Sequence, residues 1–411
     1  MPKSLGLGAL ALGSRVLITA LGLRTKEEFM SKFETRAIHV AQHPDDKTGG
    51  VIPPIHMTTT HKQDGVGNLR EGYEYNRAAN PTRSALQEAL ASLEGGRFGM
   101  SFSSGLAAED AIIRGVLAPG DHVILANDMY GGSYRLFARV HKTWGIDFTI
   151  VDLNDEVALE AAFVAGKTKM VWIETPSNPM MTIFDIAKVS ATAHKHGAVA
   201  VVDNTFATPY LQRPLELGAD IVIHSTTKYL GGHSDVLGGA VVLNDGEMAK
   251  KIEFIQFAVG AVSSPFDAWL THRSLKTLAL RMDRHCSNGQ AAAEYLATRK
   301  DKISAVYYPG LVDHPGHDIA RKQMDGFGGI ISFKLAGGTE AAKKFCENTE
   351  LFTLAESLGG VESLVNYPAE MTHASAKGTP IEVSGNIVRL SVGVEHISDI
   401  IADLTQALER L

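Results

Sequence analysis

The chain has 411 residues, 45% hydrophobic and 21% charged, with 46 acidic against 39 basic side chains and a formal net charge of -7. That length suits two or three domains with a large core and an enclosed small-molecule site, and the composition excludes a chain that is disordered or coiled coil throughout. There is no broad basic surface to neutralise phosphates, so small molecules are favoured over nucleic acid as partners. Two cysteines, Cys286 and Cys346, cannot build a disulfide framework, and no CxxC or Cys/His cluster suggests structural zinc. A reducing cytoplasm and a metal-free protein are expected.

Residues 5–23 are almost wholly apolar, interrupted by Ser14 and Arg15, with Lys3 before them and Arg24 and Lys26 after. Three readings fit: a targeting segment, a membrane anchor burdened by Arg15, or a translated leader ahead of a start at Met30. The last is preferred, because the run from Met30 reads as a natural beginning, and no stable membrane association is expected. Gly6-Leu7-Gly8-Ala9-Leu10-Ala11 matches the dinucleotide fingerprint formally. No strand precedes it, so it is set aside.

Between about residues 80 and 245, short apolar runs alternate with helix-like stretches. Residues 122–126, 148–151, 170–173, 199–202 and 221–223 are rich in Val and Ile without strict alternation, the pattern of strands buried on both faces. Residues 156–164 and 185–196 carry helical periodicity, with Gly197 closing the second. This βαβ series predicts an α/β fold with a mostly parallel central sheet. Past about residue 265, helices lead to strands at 330–335 and 387–392 of a smaller α+β domain.

Ligands of such sheets bind beyond the carboxyl ends of the strands. The residues there include Asn127 to Tyr130, Glu174 to Asn178, Asp203 to Thr205, and His224 to Lys228. Taken alone, Lys228 reads as a solvated charge. At the mouth of a buried strand, however, its amine would lose its proton readily and could form a Schiff base. Asp203 ends the preceding apolar run, where a buried carboxylate needs a cation. Pyridoxal phosphate supplies an aldehyde for the lysine and a ring nitrogen for the carboxylate. Ser103-Ser104-Gly105-Leu106-Ala107 opens a helix-like run whose N–H groups could face its phosphate, and Ser225 and Thr227 add hydroxyls.

With these residues in place, the sequence resembles the fold-type I pyridoxal-phosphate enzymes of trans-sulfuration in cysteine and methionine metabolism. The likeness runs from about Thr35 to the C-terminus. It includes Tyr73-Glu74-Tyr75-Asn76-Arg77, Asn80-Pro81-Thr82-Arg83, Ser104-Gly105-Leu106-Ala107-Ala108 and Tyr130-Gly131-Gly132-Ser133. It continues through Glu174-Thr175-Pro176-Ser177-Asn178-Pro179, Val202-Asp203-Asn204-Thr205-Phe206, Ser225-Thr226-Thr227-Lys228-Tyr229, Ala355-Glu356-Ser357-Leu358-Gly359-Gly360, Met371-Thr372-His373 and Arg389-Leu390-Ser391-Val392-Gly393.

The resemblance implies roles. Lys228 would hold the cofactor and shuttle protons, with Tyr130 stacked on the ring as the second catalytic residue. Asp203 would keep the ring nitrogen protonated, Asn178 would bond the ring hydroxylate, and Thr205 would belong to the same cofactor set. Gly105, Leu106, Ser225 and Thr227 would hold the phosphate, joined by Tyr75 and Arg77 from a neighbouring subunit of a dimer-of-dimers homotetramer. Arg389 would take the substrate α-carboxylate, with Ser357 and Asn178 beside it. His373, His314 and His317 read as structural or surface histidines. The implied organisation is a leader over 1–30, an arm over 31–75 contributing to the neighbouring subunit, a cofactor-binding domain over 76–265 and a small domain over 266–411.

Within the family, Gly132 stands where methionine γ-lyases carry cysteine, and Phe206-Ala207-Thr208-Pro209 is of the γ-acting rather than the β-lyase type. Glu74, Arg135 and Glu356 match positions that recognise the polar distal end of cystathionine. The resulting expectation is a cystathionine γ-lyase, yielding cysteine, 2-oxobutanoate and ammonia. The alternative is cystathionine γ-synthase, joining cysteine to O-succinyl- or O-acetylhomoserine. Both remove the α and β protons and expel a γ substituent, and they part only afterwards. A nicotinamide oxidoreductase lacks its fingerprint here, and a non-catalytic relative would be expected to lose Lys228 or Asp203.

Overall fold

The computed structural model describes residues 31–374 and 377–411, so the expectations for the leader, anchor or targeting segment lie outside the described residues. No helix among the described residues is long and apolar enough to cross a membrane.

Seven strands form the large sheet: β1 (Phe98–Phe102), β2 (His122–Ala126), β3 (Asp147–Val151), β4 (Thr168–Glu174), β5 (Val199–Asp203), β6 (Ile221–His224) and β7 (Gly239–Leu243). Their order is β1-β7-β6-β5-β4-β2-β3. Only β7 runs against its neighbours β1 and β6, so the sheet is mostly parallel as expected. Val123, Leu125, Met170, Trp172 and Val201 bury one face, and Ile124, Ala126, Val171, Ile173, Ala200 and Val202 bury the other. With both faces covered, no polar alternation survives in the sequence.

The helices cover those faces. α1 (Pro81–Glu94) starts at Asn80, whose Oδ1 accepts from the N–H groups of Thr82 and Arg83, with Pro81 set at the first turn. α2 (Gly105–Val116) is capped by Ser104, whose Oγ accepts from Ala107 N at 3.0 Å. A short α3 (Gly131–Arg135) follows Tyr130. The expected helix over 156–164 is shorter, Glu156–Ala161, because Thr168 Oγ1 accepts from Val164 N at 2.8 Å and turns the chain toward β4. The other, Ile186–Lys195, is capped by Asp185 and followed by Gly197 at φ +70°.

The smaller sheet contains β8 (Ile303–Tyr307), β9 (Ile330–Leu335), β10 (Thr353–Leu354), β11 (Leu364–Asn366) and β12 (Ile387–Ser391), in the order β8-β9-β12-β11-β10. It has its own core around Phe333, Phe345, Phe352, Leu390 and Leu404. It bears on the large sheet's ligand edge, where Ser332 Oγ donates to Pro179 O at 2.5 Å.

Candidate active site

In the register of the large sheet, Glu174 at the end of β4 lies beside Asp203 at the end of β5, which lies beside Ile223 of β6. Parallel strands thus bring two acids 29 residues apart in sequence to one edge. A cleft opens there, lined among others by Gly105, Leu106, Glu109, Tyr130, Asn178, Asp203, Thr205, Ser225, Thr227, Lys228, Glu356, Ser357 and Arg389.

The Lys228 amine donates to Ser357 Oγ at 2.9 Å. Burial, aided by the Arg389 guanidinium, pushes its pKa down to about 8, so a fraction of it carries a free lone pair near neutrality. Asp203 accepts from Thr205 N at 2.9 Å, and Thr205 Oγ1 accepts from Ser225 N at 2.8 Å, tying the acid to the loop that carries the lysine. Burial raises the Asp203 carboxyl, which His224 and Lys228 oppose.

Arg389 is 1% exposed on β12 and crosses from the small sheet. It donates to Asn178 Oδ1 and to Ser357 O, both at 2.9 Å, while its Nε stays buried without a partner. Ser357 holds its carbonyl there at φ +84°, a strained conformation for a residue with a β carbon. Tyr130 N donates to Glu174 Oε2 at 2.7 Å. A Cβ on Gly132 would meet the Tyr130 ring at 2.3 Å, so a cysteine there would require the ring to move.

Four expected site residues lie outside this chain's own cleft. Glu74 and Tyr75 are exposed on the segment before α1, Arg77 donates to Phe257 O at 2.9 Å, and Arg135 is exposed at the end of α3, near enough for its charge to act on Glu109 and Tyr130. Two acids of the cleft were given no role from sequence, although Glu174 was placed at the ligand edge there. Glu109 and Glu174 are buried acids raised by desolvation and by Asp203, Glu109 to about 8. His373, read as structural, is buried and held at about 4, chiefly by desolvation, so its ring stays neutral. Its Nε2 reaches Met129 O at 3.3 Å and Asn178 O at 3.1 Å, clasping the backbones next to Tyr130 and Pro179.

The donor set fits pyridoxal phosphate: a part-buried amine of lowered basicity, a part-buried carboxylate without a bonded cation among the described residues, an orphaned guanidinium nitrogen, and a helix N-terminus. At that N-terminus a Cβ on Gly105 would crowd Ser225 Cβ at 3.0 Å. The family model described as Cys/Met metabolism PLP-dependent enzyme matches residues 34–409. The chain belongs to this family of pyridoxal-phosphate enzymes. It is 53% identical over 374 residues to a cystathionine gamma-synthase of Mycobacterium leprae, covering 91% of this chain and 96% of that protein. It is 52% identical over 384 residues to a cystathionine beta-lyase of Lactococcus lactis subsp. cremoris, covering 93% and 100%. A solved cystathionine gamma synthase of Xanthomonas oryzae pv. oryzae, in complex with aminoacrylate and cysteine, superposes with a TM-score of 0.89 at 45% identity, covering 92% and 98%. The protein is therefore a pyridoxal-phosphate enzyme of trans-sulfuration with the fold-type I α/β architecture. Relatives of comparable identity carry γ-synthase and β-lyase names, so identity sorts the family and not the branch.

Proposed function

We propose that the chain is a cystathionine gamma-synthase, joining the sulfur of L-cysteine to the γ carbon of O-succinyl- or O-acetylhomoserine with release of the acid. What supports this is the agreement of the γ-type segment Phe206-Ala207-Thr208-Pro209 with the 53% identity, over nearly the whole chain, to a relative of that name. The γ-lyase favoured from sequence leaned on Glu74, Arg135 and Glu356, of which only Glu356 lines the chain's own cleft. A carboxylate there suits cystathionine's distal ammonium whether cystathionine is consumed or made. Glu356 therefore supports γ chemistry without selecting its direction.

Bound pyridoxal phosphate supplies an electron-withdrawing ring for the substrate's α carbon. In this reading Lys228 anchors the cofactor and carries the α proton, with Ser357 Oγ aiming its amine. Asp203 holds the proton of the ring nitrogen, and Tyr130 stacks on the ring. Asn178 has its Oδ1 engaged by Arg389, which leaves its amide N–H for the ring oxygen. The α2 N-terminus at Gly105 and Leu106, with Ser225 and Thr227, binds the phosphate, while Thr205 fixes Ser225 against Asp203. Arg389 and Ser357 receive the α-carboxylate. Tyr75 and Arg77, outside their own cleft, complete the phosphate site of a second copy in a homotetramer. The arm over 31–75 and the domains over 76–265 and 266–411 belong to the same reading.

The test is mass-spectrometric product analysis of cofactor-loaded protein given L-cysteine with each homoserine ester, or L-cystathionine alone. Dominant cystathionine from the first mixture is expected. Dominant cysteine and 2-oxobutanoate from cystathionine would restore the γ-lyase. Homocysteine and pyruvate would place the enzyme with its β-acting relatives.

A further inference from the structure

Four acids line the cleft, Glu109, Glu174, Asp203 and Glu356, against two bases, Lys228 and Arg389. The cofactor's phosphate adds further negative charge. A buried anion without a cation is costly, and the common relief is to keep a proton. The acids differ in what their oxygens already hold. Glu174 accepts backbone N–H groups on both, from Tyr130 at 2.7 Å and Asn178 at 2.8 Å, so each of its oxygens is already engaged. Asp203 accepts from Thr205 and has His224 and Lys228 favouring its charge. Glu109 is 3% exposed; its Oε1 accepts one hydroxyl, Ser133 Oγ at 2.8 Å, and its Oε2 is buried with no partner.

Glu109 stands one helical turn beyond Gly105 on α2, and therefore on the same face as the glycine packed at Ser225. The groups acting on it come from several elements: Arg135 and Ser133 from α3, Tyr130 ahead of α3, and Asp203 from β5. Strands β1 and β7, also packed on α2, carry no ionisable side chain, and β6 carries His224, whose Nε2 is engaged by Glu94 Oε1 at 2.5 Å. The helix Gly246–Val259 meets α2 through Ile252 at Gly115, and its half-buried Glu253 is shifted by desolvation alone.

We propose that Glu109 is a positioning residue of the cofactor site that works as a neutral carboxylic acid, so that loss of its proton weakens cofactor binding. Its Oε2, buried and without a partner, is the place for that proton. The inference rests on the cofactor assignment and is independent of which sulfur reaction follows. Desolvation and Asp203 together hold the carboxyl up at about 8, inside a measurable range.

The test reads binding rather than turnover. Lys228→Ala removes the covalent step, and the pyridoxal phosphate dissociation constant is then measured by equilibrium dialysis across alkaline pH. Affinity is expected to fall about tenfold from about pH 7 to about pH 9, as a required proton with this pKa is lost. In Lys228→Ala/Glu109→Gln the glutamate part of that fall should vanish; the cofactor's own ionisations are common to both proteins, so the difference belongs to Glu109. Ser133→Ala removes the hydroxyl that favours the charged carboxyl and should move the fall to higher pH. That variant also keeps the idea open to refutation should Glu109→Gln fail to fold. Superimposable profiles with Glu and Gln, or an unmoved fall in Ser133→Ala, overturn the proposal. No pyridoxal phosphate binding at any pH would overturn the cofactor assignment instead.

Discussion

Lys228 gains its chemistry from where it is buried. An exposed lysine amine is almost wholly charged at neutral pH, whereas desolvation, helped by Arg389, brings this one to about 8. Only the uncharged amine attacks an aldehyde, so capture of pyridoxal phosphate by the apo protein should speed up about tenfold between about pH 7 and about pH 9 and level off above. Stopped-flow absorbance at saturating cofactor measures this; a rate that climbs about tenfold with each pH unit through pH 9 without levelling would show an amine of ordinary basicity. Lys228 and Asp203 were legible in sequence because Asp203 ends a Val run and Lys228 lies just past an Ile/Val run, and a strand end has a known use. Glu109 was not. It sits beside Asp110 in a helix, where adjacent acids read as a solvated face, and only the placement of α3 and β5 turns that face inward.

At the scale of elements, Asn80 joins the segment before it to α1. Its Oδ1 satisfies two of the helix's first N–H groups, and its Nδ2 donates to His56 O at 2.8 Å, while Thr82 Oγ1 accepts from His56 N at 3.0 Å. Asn80→Ala should cost about 1 to 2 kcal/mol through the cap alone, seen as a lower melting temperature with the visible cofactor band retained in the folded protein. An unchanged melting temperature would show that water replaces the side chain without loss. Of the five large-sheet strands expected from sequence, four are buried nearly along their length, and the fifth, β3, is a partly exposed edge strand marked by its Ile150-Val151 end. β1 reads FGMSF, without a branched run, and lies at the sheet edge against the reversed strand β7, so a pattern built for parallel central strands passed over both. Helix caps were legible at Asp185 and Ser104 because the capping side chain is local; the early end of Glu156–Ala161 was not, because it depends on Thr168 across a turn.

At the scale of the molecule, the cleft of one chain is built from the large sheet's edge, the α2 N-terminus and the small sheet's Arg389, yet Tyr75 and Arg77 stand apart from it. Tyr75 is 43% exposed, and the Arg77 guanidinium lies 4.6 Å from the centre of the Phe257 ring, beside the exposed Phe254 and Val259. An arginine on an apolar, uncovered surface suits a phosphate offered by another copy better than a solvated role, since its planar donors bind phosphate in pairs. Arg77→Ala should then weaken cofactor binding although it leaves its own chain's cleft intact. Mixing Arg77→Ala with Lys228→Ala subunits goes further: a hybrid interface pairs an intact Lys228 in one chain with an intact Arg77 in the other, giving one complete site for every two chains. Activity should return to about a quarter of wild type when equal amounts assort at random, because half the pairs are hybrids and each restores one of two sites. Mass spectrometry of the native assemblies establishes the mixing, and verified hybrids without recovered activity would confine each site to a single chain.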